Sequence, residues 1–368
     1  MGSPWTDLAA VIAAAAPGDI VLLNGMTFPP IVMNKGLTIL GPGSIAAGVG
    51  TALQSTLTIP AGERAHLSDV GFVPYGIPGF GLLGGHKVVA NGRVTFEHCF
   101  FHQGVPNNLV VSGDILLNRC SVLGDASSFA QQTVGGMVVQ SGYCSLVDCT
   151  IRGGNAVFCG GCPSYWIPAT VALQVNGGTV AASNTVFIGG SGGLGGVFVS
   201  ALGSSAVQAA GTSYFADCTL TAGANPAGAP LPHLVGGATT FYARTMFGTT
   251  TGPQSNARQL VGLQMSQSLR LGQTSVLTAI AGTGTLLGIL AGFDGVVGTH
   301  PIVVEPVLAP VTNLVTLTLA NPVPGSAVTH ALLVPSAPAL VGVALFAQAF
   351  QLDGVVLRAS AAVGSVVR

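Results

Sequence analysis

Short apolar runs alternating with polar residues fill the chain from about residue 37 to residue 247. The stretch Leu109 to Val122, LVVSGDILLNRCSV, shows the unit best. An apolar strand ends at Gly113, a second strand carries Ile115 and Leu117, a polar pair Asn118-Arg119 follows, and then come Cys120 and Val122. Alternation with period two buries one face of a strand. The same slots hold Val94, Phe96, Cys99 and Phe101 in one copy, and Ser213, Phe215, Cys218 and Leu220 in another. No stretch in this region has the length and period of an amphipathic helix.

Five copies place a Gly seven positions before a small core residue: Gly92 with Cys99, Gly113 with Cys120, Gly142 with Cys149, Gly178 with Thr185 and Gly211 with Cys218. Two looser copies, Gly62 with Val70 and Gly237 with Thr245, have a spacing of eight. The core anchors recur 21 to 36 positions apart, a period that signals stacked repeats rather than a compact globule. Strands of about 3 to 5 residues, Gly at the bends and no intervening helices predict a parallel β-helix, an all-β solenoid whose coils stack about 4.8 Å apart. The residue before each anchor is polar: Asp69, His98, Arg119, Asp148, Asn184, Asp217 and Arg244. Asn and Asp tolerate the left-handed backbone conformation and bond their own backbone. The column is therefore read as a corner ladder with some charge pairing rather than as an active site.

Residues 4 to 16 predict a short helix, ended by Pro17-Gly18. An apolar strand follows, with Asp19, Val21 and Leu22, then Gly25 and Phe28, then Lys35, Leu37, Thr38, Ile39 and Gly41. A short Ala-rich helix, PGD, a strand, a Gly-turn-aromatic and K-x-LTI-x-G together resemble the N-terminal cap and first coil of the right-handed parallel β-helix, or pectin-lyase-like, superfamily. The resemblance implies a right-handed solenoid whose open end the helix plugs, since an uncapped end would expose apolar surface and unpaired backbone. It leaves function open. The superfamily includes polysaccharide lyases, glycoside hydrolases and esterases as well as adhesins, tail spikes and surface proteins.

The polar run Thr249 to Asn256, TTTGPQSN, marks the end of the repeat. Beyond it, about seven short strands with Gly and Pro turns predict an antiparallel β-sandwich. The expected organisation is a parallel β-helix with its capping helix over 1–256 and a β-sandwich over 257–368. The segment PALVGVALFAQAFQLD with the small-residue strand after it resembles a C-terminal domain of secreted, repeat-rich bacterial proteins, those of planctomycetes in particular. That resemblance brings no catalytic residue with it.

Charged residues make up only 6% of the chain, against an ordinary value of about 25%. With two Lys, Lys35 and Lys87, and a net charge of −1, no basic stripe exists and nucleic-acid binding is disfavoured. Apolar content of 49% disfavours disorder. The longest uncharged apolar-biased run, Val276 to Phe293, is broken by Gly282, Gly284 and Gly288 and reads as strands, so no membrane span is expected. Charge-poor surfaces resist self-association weakly, which favours a homo-oligomer or surface assembly. The first residues, MGSPW, lack a secretory leader, and reading the protein as secreted or cell-surface supposes a precursor that carries one.

Among the seven Cys, Cys99, Cys120, Cys149 and Cys218 share the inward slot and Cys144 is also predicted inward, all as small apolar core residues. Cys159 and Cys162, in FCGGCPSYW, are expected to form a small-ring disulfide. No second CxxC or adjacent His pair completes a metal set, so no metal or cofactor is assigned. The best catalytic candidates are Arg93 with Asp114, predicted neighbours in successive coils, and Asp125 with Arg152, which follow the anchors of successive coils. Their structural alternative is two surface ion pairs of small value. If a glycan binds, the loop aromatics Tyr75, Phe80, Tyr165 and Trp166 are the first places to look. Together these features favour a non-enzymatic structural or surface protein. The alternatives are a carbohydrate-active enzyme, lyase or hydrolase, and a carbohydrate-binding protein using the loop aromatics.

Overall fold

The computed structural model describes residues 7–46, 54–73, 75–77, 81–84, 87–102, 107–124, 126–127, 132–133, 135–159, 165–195, 199–226, 230–236, 239–293, 296–309 and 315–368. It is nearly all β. Among these residues, 22 strands join one large sheet, and its pairings run parallel. The sheet consists of three ladders. The first passes through Met33, Leu57, Ala90, Val111, Val139, Val175 and Ala209, each opposite the next. The second passes through Ile39, Leu67, Phe96, Leu117, Leu146, Ala182 and Phe215. The third passes through Ile45, Phe72, Phe101, Val122, Ile151, Phe187 and Leu220. The inward residues of all three merge in one continuous apolar core. Aromatic stacking locks part of it, with Phe72 and Phe101 parallel at 4.9 Å and Phe96 edge-on to Phe101 at 5.1 Å.

The repeat aligned in the sequence is the register of these ladders. Gly92, Gly113 and Gly142 stand opposite one another at the bend between the first and second strands of each coil. Gly113 has φ +96°, and a Cβ there would lie 2.5 Å from the Gly92 carbonyl oxygen, so neither the backbone nor the space admits a side chain. Segments following the third strand of several coils fold as antiparallel hairpins: Tyr75–Ile77 with Gly81–Gly84, Val157–Cys159 with Tyr165–Ile167, and Gly193–Gly195 with Val199–Ala201.

The N-terminal helix spans Leu8–Ala14. Asp7 caps it by accepting from the Ala9 and Ala10 amides, and Leu8 and Ile12 are buried in the ladder core. Lys35 donates to the Ala13 and Ala15 carbonyls and closes the helix C-terminus.

The ladder outlasts the expected end of the repeat. Thr250–Thr251 and Gln254–Asn256 pair in parallel with Leu234–Gly236 and Thr240–Ala243. Apolar alternation is lost in these last strands of the parallel sheet, while the backbone pairing persists.

Residues after 257 form a three-stranded sheet, Gly262–Met265, Thr274–Ile280 and Ala327–Leu333, and a seven-stranded sheet built around Ala344–Asp353. Pairing is antiparallel, as expected, except that Val303–Ala309 runs parallel to Val356–Ala359. These sheets pack on the outward face of the second ladder. Thr95, Leu116, Ser145 and Tyr214, which alternate with the inward residues of the second ladder, are all buried. Leu116, Val147, Ala181 and Tyr214 share an apolar cluster with Leu263, Leu277, Phe346 and Val363. Gly364 lies so close that a Cβ there would come within 2.9 Å of the Phe346 ring and 3.2 Å of the Thr95 methyl.

Candidate functional site

The polar column before the anchors is a corner ladder. Asp69, His98, Arg119, Asp148, Asn184, Asp217 and Arg244 all have left-handed backbone, with φ between 48° and 57°. Bulky residues rarely adopt this conformation, so His98, Arg119 and Arg244 need compensating contacts. Unlike neighbours supply them: His98 Nδ1 lies 2.6 Å from Asp69 Oδ1, Asn184 donates to Asp148 at 2.7 Å, and Arg244 donates to both oxygens of Asp217 at 2.7 and 3.0 Å.

The anchors themselves are more than small apolar filler. Cys120 donates its S–H to the Phe96 and Asn118 carbonyls, each at 3.4 Å, and Cys149 repeats the pattern on Leu117 and Val147. Thr185 and Thr245 place a hydroxyl in the same relation to Leu146 and Ser183, and to Phe215 and Ala243. The slot therefore holds a small residue with a donor, Cys or Thr, after six of the seven corners, and Val70 without one after Asp69. Burial pushes the thiols of Cys120, Cys144 and Cys149 well above the ordinary value and that of Cys218 up to about 12. They stay protonated donors and are free thiols.

The most elaborate polar cluster was not anticipated. Glu97, fully buried, accepts from Arg119 at 3.0 Å, from Ser365 Oγ at 2.6 Å and from the Val366 amide at 3.3 Å, and His66 Nε2 lies 3.4 Å away. Burial alone would raise the Glu97 pKa; His66, Ser365 and Arg119 outweigh it, and the carboxyl sits below its usual value. Arg119 also donates to Ser268 at 2.5 Å, and Arg368 reaches Ser268 and Asp69. Farther along, Asp148 accepts from the Met265 amide, Ser183 from the Leu263 amide, and Ser145 donates to Ala362. Arg64 stands 4.7 Å over the Phe346 ring. The corner column and its neighbours are thus the seam that holds the C-terminal sheets. The sequence signal was a Glu one position before His98, where the other corners are preceded by Ser68, Asn118, Val147, Ser183, Ala216 and Ala243.

Of the catalytic candidates, Arg93 and Asp114 stand opposite each other in register and form an ion pair at 3.7 Å, with side chains 29% and 22% exposed. Arg152 is exposed in the third ladder, opposite Leu123 and Ile188. Arg93 and Asp114 belong instead to the bend leading into the second ladder. Asp125 lies outside the described residues, as do Phe80 and Cys162. Tyr75, Cys159, Tyr165 and Trp166 fall on hairpin strands, with Cys159 opposite Tyr165, but their side chains lie outside the description, and so does the expected disulfide. Among the described residues, no three His, Cys, Asp or Glu side chains gather into a group able to hold a metal ion, and no helix is long and apolar enough to cross a membrane.

Compared with the models of known protein families, with curated proteins and with solved structures, the chain finds no match in any of the three.

Proposed function

We propose that the three parallel ladders close into a right-handed parallel β-helix of the pectin-lyase-like kind, with residues 257–368 as a second β-domain docked on one face, and that the protein is a secreted, non-enzymatic structural or surface protein. The observation that carries this reading is the use made of the carboxylates. Asp7 caps the helix, Glu63 accepts from the Gly36 amide, and Asp69, Glu97, Asp148 and Asp217 tie corners to one another or to the C-terminal sheets. Carboxylates fixed as struts are poor general acids or nucleophiles, because each proton transfer would break a structural contact. The low charge and exposed apolar residues such as Leu319, Leu333 and Val355 support self-assembly into an oligomer or surface array.

Light scattering across a concentration series, with negative-stain imaging of the same sample, tests the assembly reading. Filaments, sheets or rings are expected; a monomer at every concentration would remove it. The Arg93–Asp114 pair supports a second reading, a carbohydrate-active enzyme. Turnover of any polysaccharide that Asp114→Asn abolishes would replace the structural reading with that one.

A further inference from the structure

A cleft of about 250 Å³ opens where the last coil meets the C-terminal sheets, lined by Arg244, Asn256, Arg258, Gly282, Thr283 and Gly325 among others. Its two arginines are in different states. Arg244 is held: Nε and Nη2 donate to Asp217, Nη2 also to the Leu260 carbonyl, and Nη1 to the Ala281 carbonyl. Of the five N–H groups of a guanidinium, this leaves one, on Nη1. Arg258 is exposed, and among the described residues its guanidinium makes no hydrogen bond or ion pair. Its backbone is nonetheless fixed, since its carbonyl accepts from the Thr283 amide at 3.2 Å. Asn256 and Thr283, whose side chains can donate, also line it, and among the described residues no Asp or Glu does. Asp217, which is not among the lining residues, has both oxygens engaged by Arg244. Two guanidinium groups sharing a cleft without a carboxylate of its own favour an anion between them. They do so in a chain with only 11 basic residues among 368.

We propose that this cleft binds an oxyanion, the carboxylate or sulfate group of a small molecule or of a larger polar ligand. Arg258 supplies the planar fork that matches two oxygens, the remaining Nη1–H of Arg244 the second contact, and Asn256 and Thr283 the neutral donors. The site stands independently of whether the protein assembles.

Titration calorimetry at fixed ionic strength, with inorganic sulfate in one arm and malonate in the other, tests it on the full chain. Saturable binding of at least one anion is expected, weakened about tenfold or more by Arg258→Ala, as for the loss of a charge-assisted hydrogen bond. Arg258→Lys should fall between, because it keeps the charge and loses the fork. Binding of sulfate alone assigns a tetrahedral group, of malonate alone a carboxylate, and of both the shared chemistry. Arg258 is exposed, so the variant should fold; Asn256→Ala, with a smaller loss, is a second check. No saturable binding of either anion, or an affinity that Arg258→Ala leaves unchanged, overturns the proposal.

Discussion

Glu97 and Asp114 are two carboxylates on adjacent coils, each paired with an arginine one coil away. Asp114 meets Arg93 at 3.7 Å near the glycine bend and keeps 22% of its side chain in water. Glu97 meets Arg119 at 3.0 Å near the corner and keeps none. What separates them is not local sequence. Ser365 and Val366, some 270 positions later in the chain, close over Glu97 and donate to it. The same kind of ion pair is therefore a surface contact at one end of a strand and the centre of a buried seam at the other.

Removing one member of each pair should break the comparison open. Glu97→Ala leaves Arg119 and His66 without their carboxylate under the C-terminal sheets, and a loss of about 3–5 kcal/mol is expected in urea unfolding. A loss below about 1 kcal/mol would mean that water reaches the seam and that Glu97 behaves like Asp114. Acid sharpens the test. The folded pKa of Glu97 is depressed, so its contribution is present above the ordinary Glu value of about 4.3 and disappears as pH falls through the lower folded value. Asp148 and Glu305 have the opposite sign: burial raises them, Asn184 and Arg358 offsetting it only in part. Their ionisation opposes folding, so their contribution favours the fold at low pH and is lost as pH rises through their folded values. Glu97→Gln should therefore flatten the acid-side fall in unfolding midpoint, whereas Asp148→Asn should leave stability at neutral pH unchanged or higher. A steeper acid-side fall in Glu97→Gln would show that the sign assigned to Glu97 is wrong.

A smaller effect is expected at the glycine bend that carries the Asp114 side of the comparison. Gly113→Ala meets both a positive φ and the Gly92 carbonyl, and should cost about 1–3 kcal/mol. Gly62 has φ +89° with nothing within 4 Å of a Cβ, so Gly62→Ala suffers the backbone strain alone and should cost less. Equal losses in the two variants would mean that the stacking clash is absorbed by small shifts between coils.

Much of the ladder was legible because its determinants are local and repeated. The polar residue before each anchor marked every left-handed corner from Asp69 to Arg244, and the equal spacing of Gly92 and Gly113 from their anchors placed Arg93 opposite Asp114. The buried seam was not legible, because Thr95, Leu116, Ser145 and Glu97 are covered by residues far away in sequence, and period-two alternation says only which face is outward, not what lies on it. Leu116 and Val147, apolar at outward positions, were the available hint. The last coil escaped because TTTGPQSN has the composition of a loop, although its backbone completes the parallel pairing. The anchors were read by size, and their donor role became visible only once the corner carbonyls were placed.

That donor role predicts a difference between two substitutions of similar size. Cys120→Thr keeps a donor aimed at Phe96 and Asn118, as Thr185 does at Leu146 and Ser183, and should be nearly neutral. Cys120→Val removes it, at about 0.5–1.5 kcal/mol. If the two variants unfold at the same denaturant concentration, the slot selects volume alone.

The smallest effect should fall on the Arg93–Asp114 pair itself. At 3.7 Å, with both side chains partly solvated, it gains little Coulomb energy, and salt screens much of that. Asp114→Asn and Arg93→Ala should each cost under about 1 kcal/mol, and a double-mutant cycle should give a coupling of about 0.2–1 kcal/mol that shrinks as salt rises. A coupling comparable to that of Glu97 with Arg119, and insensitive to salt, would show that the bend is dry and that something covers it as the C-terminal sheets cover Glu97. The same protein samples, assayed on polysaccharides, separate the two functional readings. A struts-only role predicts no glycan turnover in either protein and a stability nearly indifferent to Asp114→Asn. An enzymatic role predicts a fold that survives and an activity that does not.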